Sequence, residues 1–182
     1  VSPAGGNLKE PVTESTKKAA RCFYALSQGR ADSKRYPAID PLESYSKYLE
    51  YPEVREYLDE HIEKNWVDAV YEGKTIVQRG KEANDQINIL GDDGVPTEYH
   101  ERFWKSELID FVILQQDAFD AIDANCPTER QKMMYNMVLD ICRKQFDFAD
   151  FEECSQYFKS LINLFRQMNY SEWKSEQFDD YR

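Results

Sequence analysis

Three consecutive residues, Gly73-Lys74-Thr75, have the types that end a phosphate-binding loop. In such a loop the backbone N–H groups between two glycines surround the phosphates, so a first glycine must stand five positions before the second. Asp68 occupies that position, and the residues before Gly73 follow a helical pattern instead of a strand pattern. The sequence therefore predicts a turn between two helices here and no phosphate site.

The histidines and cysteines are the other side chains that suggest chemistry. His61 lies in the acidic stretch 59–63, but the Glu-x-x-His pair of di-iron helical bundles requires a carboxylate where the chain has Leu58. We therefore interpret this stretch as a solvated helix face and predict no metal site. His100 has no cysteine nucleophile at a recognised spacing. Because no Cys-x-x-Cys pair occurs, we expect reduced, partly buried thiols at Cys22, Cys126, Cys142 and Cys154.

The composition is that of a folded acidic protein. Of the 182 residues, 41% are apolar and 14% aromatic, which is too much hydrophobic material for a disordered chain. The 23 Lys and Arg against 34 Asp and Glu give a net charge of -11, which repels nucleic acid. No apolar run approaches the roughly 20 residues that span a bilayer, and residues 1–6 lack the regions of a signal peptide. We expect a cytoplasmic protein that does not insert into a membrane.

The elements that would position these side chains are mainly helices. Glycine is scarce, with seven residues, and apolar residues recur at helical spacing along most of the chain. A first helix is predicted to end at Gly29, with Ala19, Phe23 and Leu26 on one face. Residues 30–52 are predicted to form an extended connection, because each of the prolines there disfavours helix in the residue before it.

Further apolar stripes predict the helical part of the fold. Gly73 is expected to separate two helices, and Thr97 and Thr128 to cap the helices that follow them. The acidic stretch 91–96, with glycine and proline, is the strongest break and predicts a helix-loop-helix hairpin. The stripes place helices over residues 54–70, 76–87, 103–112, 134–142 and 151–168.

Four segments of the chain carry motifs that resemble those of one protein family, and they occur in the same order as in that family. The run Tyr36–Ser46, YPAIDPLESYS, is similar to a signature of rotary ATPase subunits in which a Pro-small-aliphatic-Asp core precedes Ser-x-Ser. Residues 5–13 resemble, with two departures, the segment that leaves the nucleotide-binding domain of catalytic A subunits. Residues 89–102 resemble the acidic hairpin that faces the rotor, and residues 114–120, LQQDAFD, resemble the segment that closes over adenine.

On these motifs the chain resembles the C-terminal part of the catalytic A (alpha) subunit of V/A-type rotary ATP synthases. The resemblance implies a mainly α fold, the C-terminal helical bundle of that subunit, preceded by a short extended segment from its nucleotide-binding domain. The implied organisation is the end of the nucleotide-binding domain at 1–30, an extended connection at 31–52, a helical domain at 53–170 with the rotor-facing hairpin near 89–102, and an acidic aromatic tail at 171–182.

The resemblance also implies roles for particular residues. The adenine pocket would include Leu8, Gln116, Ala118 and Phe119, with the ring of Phe119 stacking on the base. The rotor contact would be made by Asp92, Asp93, Val95, Pro96, Thr97 and Glu98. No catalytic residue is expected in this chain, because the phosphate-binding loop of the family lies upstream. The isolated chain is therefore expected to be inactive.

Cofactors and partners follow from the same resemblance. The intact subunit would bind ATP or ADP with Mg²⁺, with no nucleotide held tightly by this chain alone, and would couple ATP hydrolysis or synthesis to ion transport. Its partners would be the B subunits of an A3B3 hexamer and the D and F subunits of the central stalk, peripheral to the membrane on its cytoplasmic side. The alternative is a free-standing acidic helical adaptor that binds a partner protein. A small enzyme built around His61 is a third hypothesis.

Overall fold

Two antiparallel strands precede a helical bundle in the computed structural model, which describes residues 6–182. Helix α1 (Pro11–Ala19) leads into strand β1 (Cys22–Leu26). After the short helix α2 (Gln28–Asp32) the chain returns as strand β2 (Ile39–Ser46). The strands pair from Cys22 opposite Ser46 to Leu26 opposite Ile39, so the two ends of this segment are held side by side.

The predicted helix through Phe23 and Leu26 is wrong after Ala19. Ala20 is extended, with a ψ of 141°, and the residues that follow bond to β2. A run of cysteine, aromatic and aliphatic residues suits a half-buried strand, and pairing with a strand distant in sequence overrides the helical spacing. Gly29, expected to end that helix, lies within α2 instead.

The connection between α2 and the bundle is partly extended, as expected, but it is also paired. Residues 39–46 form β2, and a 3-10 turn at Lys47–Glu50 leads on to the bundle. Pro41 fits within β2 because the strand pairing is interrupted there, between Phe23 and Ala25 of β1. The prolines therefore shape an irregular edge strand and not a free linker.

Six further helices form the bundle, and the mainly α fold is confirmed. Gly73 lies inside one of them and not between two; the break falls earlier, at Asn65, whose φ of 64° is left-handed. Neither Thr97 nor Thr128 caps its helix, because a proline occupies each N-cap position. Among residues 6–182, no helix is both long and apolar enough to cross a membrane. The six are α3 (Pro52–His61), α4 (Trp66–Leu90), α5 (Thr97–Ile109), α6 (Thr128–Arg143), α7 (Phe151–Asn169) and α8 (Glu176–Asp180).

The core lies where α5, α6 and α7 meet. Leu108, Val138 and Phe158, one from each helix, are fully buried there. Cys142 and Cys154 are free thiols buried in the same cluster, as expected, and burial raises the pKa of each to about 12. The C-terminal segment also docks on this cluster, where α8 buries an aromatic ring.

Helices α4 and α5 form an antiparallel hairpin with a very close contact. A Cβ atom on Gly80 of α4 would lie 2.1 Å from the Cβ atom of Ser106 on α5. The missing side chain therefore allows the two helices to approach. At its far end, α5 continues into a π-helical turn, Asp110–Leu114, which carries the chain into the loop at residues 115–125.

Candidate functional site

A cavity of about 530 Å³ lies between the segment before β2, the loop after the π-helical turn and helix α7. Its lining includes Gln116, Ala118 and Phe119, three of the four residues expected at the adenine pocket. Leu8 is half-buried just before α1 and is not among the lining residues. Other lining side chains come from distant parts of the chain: Lys34, Tyr36, Phe111, Arg166 and Tyr170.

The loop that carries Phe119 is held by its own aspartates. Asp117 accepts a hydrogen bond from the backbone N–H of Phe119 at 2.9 Å, and Asp120 accepts one from the N–H of Asp123 at 2.8 Å. The carboxylate of Asp123 accepts in turn from the N–H of Asp117 at 2.6 Å. These turns leave the side chain of Phe119 fully exposed. An exposed ring at the rim of a cavity offers a flat face for stacking.

Gln116 connects this loop to the segment before β2. Its backbone N–H donates to the carbonyl oxygen of Tyr36 at 3.0 Å. Its side-chain Nε2 donates to the carbonyl oxygen of Asp123 at 2.8 Å. The backbone N–H of Gln116 therefore links the two segments, and its side-chain amide stabilises the loop itself.

Tyr36 is a cavity residue that the sequence motifs did not assign to the site. It begins the run 36–46, and its half-exposed ring lines the same cavity as Phe119. The feature of the sequence that could have indicated this role is that an aromatic residue begins the most specific motif. Its place beside the loop at 115–119 depends on the fold, because the two segments are far apart in the chain.

A partly buried ion network joins the segment that carries Tyr36 to α5 and the π-helical turn. Arg30 donates two hydrogen bonds to the carboxylate of Asp110, at 2.8 and 3.0 Å, and Arg35 donates two to the carboxylate of Glu107, both at 2.8 Å. Arg35 also bonds to Asp110, which is only 5% exposed. The hydrogen-bonded pairing with Glu107 raises the pKa of Arg35 further above its usual value, so the charge is permanent. Its guanidinium carbon lies 4.9 Å from the ring centroid of Phe111.

Asp123 and Arg130 anchor the loop to α6 and α7. Arg130 is 1% exposed; one of its guanidinium nitrogens donates to the carbonyl oxygen of Asn169 at 3.0 Å and lies 3.6 Å from the carboxylate of Asp123. Burial raises the pKa of Asp123, while the N–H of Asp117 and the charge of Arg130 oppose that rise. Buried polar contacts with α6 and α7 therefore hold the loop in place.

The residues expected at the rotor contact lie together at the tip of the α4–α5 hairpin. The chain leaves α4 through Gly91, whose φ of 81° is left-handed, and enters a 3-10 turn at Asp92–Gly94. His100, buried in α5, donates from Nε2 to the carbonyl oxygen of Asp92 at 2.9 Å and so holds the turn against the helix. Four of the six residues are exposed, namely Asp92, Asp93, Pro96 and Glu98, and two are half-buried, Val95 and Thr97.

Two aliphatic side chains lie beside these carboxylates. Ile89 and Leu90, in the last turn of α4, are 73% and 56% exposed. The tip therefore presents an apolar and acidic surface.

The lysine and histidine for which the sequence predicted neither a phosphate site nor a metal site make contacts within the protein. Lys74 lies within α4 and donates from Nζ to the carbonyl oxygen of Ser44 at 2.9 Å. His61 donates from Nδ1 to the carbonyl oxygen of Tyr57 at 2.9 Å and stacks on that ring with a centroid distance of 4.0 Å. Over residues 6–182, no three His, Cys, Asp or Glu side chains converge in a way that could hold a metal ion.

Comparison with known proteins defines the class of domain to which this fold belongs, a helical domain of rotary ATP synthases. Residues 55–158 match the family model described as the C-terminal domain of V and A type ATP synthase. The chain belongs to this family. The matched range contains both the hairpin tip and the loop that carries Phe119.

Curated relatives and a solved structure agree with this assignment. The V-type ATP synthase alpha chains of Chlamydia abortus and Chlamydia pneumoniae are 37% and 38% identical to the chain over 180 residues, which is 99% of this chain and 30% of each relative. That of Protochlamydia amoebophila is 38% identical over 178 residues. The chain thus spans about 30% of the length of these relatives. The ATP synthase subunit NeqB from Nanoarcheaum equitans has the same fold, with a TM-score of 0.58 and 20% identity over 79% of this chain and 33% of that one.

Proposed function

We propose that this chain is the C-terminal segment of the catalytic A subunit of a V/A-type ion-translocating ATP synthase. In this proposal it supplies part of the adenine pocket and the arm that contacts the rotor. The observation that carries the proposal is that Gln116, Ala118 and Phe119 line one cavity, while the expected rotor residues lie together at the hairpin tip. Helix α5 and its π-helical turn run directly from that tip to the loop of the cavity.

The cavity suits a purine base. Its volume of about 530 Å³ lies within the range of about 300–1,000 Å³ that is usual for small-molecule sites. The rings of Phe119 and Tyr36 both line it with exposed faces, and stacking of a base on an aromatic ring contributes about 1–3 kcal/mol. We propose that ATP or ADP binds with its base here, and that Leu8 approaches the base only in the assembled subunit.

The phosphates and Mg²⁺ require groups that this chain is not proposed to supply. Within residues 6–182 the Gly73-Lys74-Thr75 sequence forms helix and not a phosphate-binding loop. Phosphoryl transfer needs such a loop, a metal-binding hydroxyl and carboxylate, and a group that orients the attacking water. We therefore propose that hydrolysis and synthesis need the remainder of the subunit together with the B subunits of an A3B3 hexamer.

The proposed output is mechanical. Closure of the cavity on a nucleotide would pull on the π-helical turn, and α5 would transmit that displacement to the hairpin tip. The tip would then press on the D and F subunits of the central stalk, on the cytoplasmic side of the membrane. The exposed carboxylates of Asp92, Asp93 and Glu98 beside Ile89 and Leu90 suit a partner surface that is basic and partly apolar.

Phe119→Ala is expected to weaken binding of adenine nucleotide to the intact subunit by about 10-fold to 100-fold, because the stacking energy is lost. The thermal unfolding midpoint should not change, since the side chain is fully exposed. Titration with a fluorescent ATP analogue measures the affinity. Tyr57→Ala, which removes an exposed ring from α3 outside the cavity, is the matched control and should leave affinity unchanged. Equal affinities of Phe119→Ala and the unsubstituted subunit would exclude the site.

Photo-crosslinkers placed at Asp93 and Glu98 in the assembled complex are expected to capture the D or F subunit, because both positions are exposed at the hairpin tip. Mass spectrometry of the crosslinked band identifies the captured subunit. Glu60 on α3 is also exposed but lies just before the first residue of α4, at the end opposite to the tip, so a crosslinker there should capture no rotor subunit. If neither tip position captures a rotor subunit, the proposed contact does not exist.

A further inference from the structure

We propose that Arg30, Arg35, Glu107 and Asp110 form a clamp that positions the two walls of the nucleotide cavity relative to each other. The clamp residues touch no part of the proposed ligand and act through Tyr36 and the loop at 115–119. This inference rests on the proposed adenine site. It adds positioning residues that none of the sequence motifs contains.

The clamp lies at the base of both walls. Arg35 immediately precedes Tyr36, and Asp110 begins the π-helical turn that ends one residue before the loop. The carbonyl oxygen of Asp110 accepts a hydrogen bond from the N–H of Gln115 at 3.0 Å. The salt bridge between Arg35 and Asp110 therefore joins the residue that precedes Tyr36 in one wall to the turn that supports the loop of the other wall.

The geometry of the clamp is narrowly defined. Two arginines each present a planar fork to a carboxylate, a pairing that fixes orientation as well as distance. The carboxylate side chains of Glu107 and Asp110 are only 12% and 7% exposed, so solvent and salt screen these pairs weakly. Asp110 binds both arginines, and so a single carboxylate links Arg30 to Arg35.

The clamp also contacts the cavity lining directly. The guanidinium of Arg35 lies over the ring of Phe111, and Phe111 is itself a lining residue. The backbone bond from Gln116 to Tyr36 closes a ring of contacts that runs from the clamp through both walls. Buried ion pairs usually add little net stability compared with apolar side chains of similar size. The forked pairings instead fix the orientation and distance of the groups they join, and this is the role that we assign to the clamp.

Arg35→Lys in the intact subunit tests the clamp, because lysine keeps the charge and loses the planar fork. The dissociation constants of ATP and of inorganic tripolyphosphate, which has no base, are measured by titration. We expect the affinity for ATP to fall about tenfold and the affinity for tripolyphosphate to stay unchanged. Glu107→Gln should have the same selective effect. Arg143→Lys is the matched control, since Arg143 makes an equally forked but exposed pair with Glu72 away from the cavity, and it should change neither affinity.

A double substitution separates positioning from a general loss of structure. If the clamp acts through the walls, Arg35→Lys should have little further effect on ATP affinity once Phe119→Ala has removed the stacking ring. Equal losses of affinity for ATP and tripolyphosphate, or fully additive losses in the double variant, would overturn the clamp. If Phe119→Ala weakens ATP binding while Arg35→Lys does not, the clamp is wrong and the base site stands. If neither substitution changes the affinity for ATP, both the base site and the clamp are wrong.

Discussion

Replacement of Asp110 with alanine is expected to lower the free energy of unfolding by about 3–5 kcal/mol, because removal of one partner leaves buried charge uncompensated. Arg30 has an almost buried side chain, and both of its paired nitrogens donate to Asp110. Its Nε atom is already buried without a hydrogen-bond partner among the described residues, so the guanidinium would retain no protein acceptor there. Arg35 would keep its pairing with Glu107.

Urea unfolding of the 182-residue chain, followed by far-ultraviolet circular dichroism, measures this loss. Asp140→Ala is the matched control, since Asp140 pairs with Arg143 at the surface, where the carboxylate side chain is 69% exposed. An exposed pair of this kind contributes about 0–1 kcal/mol. If Asp110→Ala unfolds at the same urea concentration as Asp140→Ala, the ion network contributes no more than a surface pair.

Gly80→Val is expected to lower the free energy of unfolding by about 3 kcal/mol and to displace the hairpin tip, because the side chain has no room between α4 and α5. Its Cβ atom alone would lie 2.1 Å from the Cβ of Ser106 and 3.1 Å from the carbonyl oxygen of Arg102. The helices would have to separate to admit it. The gain in helix propensity over glycine is only a few tenths of a kcal/mol and does not offset this overlap.

Lys81→Val is the control for Gly80→Val. It places the same side chain on the next, exposed position of α4 and should change the free energy of unfolding by less than about 0.7 kcal/mol, the range of helix propensity. The smaller substitution Gly80→Ala should be partly rescued by Ser106→Gly, which removes the atoms that it meets. If Gly80→Val is as stable as Lys81→Val, the close approach of the two helices is not required.

Helix α5 connects the two parts of the proposed function. It begins at the hairpin tip with Thr97 and ends in the π-helical turn that carries Asp110. Single π-helical turns inside α-helices occur frequently at functional sites. Here the turn connects α5, which carries the carboxylate of Glu107, to the loop of the cavity, and the proposed transmission of movement would pass through it.

Helices with long apolar stripes were predictable from the sequence, and those that depend on a distant partner were not. The stripe from Phe151 to Met168 predicted α7 because its apolar residues recur every three or four positions, a spacing that can be seen within a short stretch of sequence. The segment around Phe23 failed because its partner, β2, lies about twenty residues away and leaves no trace in local spacing. Gly73 was wrongly placed between helices because the Tyr135 hydroxyl that packs against it belongs to α6.

The sequence by itself determined the family, the helical class and the order of the motifs, since these depend on residue types and short spacings. It also indicated Gln116, Ala118 and Phe119 as one group, because they lie within a single short motif. Only the tertiary structure decided that Tyr36 lines the same cavity and that Leu8 does not. The ion network was equally invisible, because Arg30 and Asp110 are 80 residues apart and their pairing depends on the path of the chain between them.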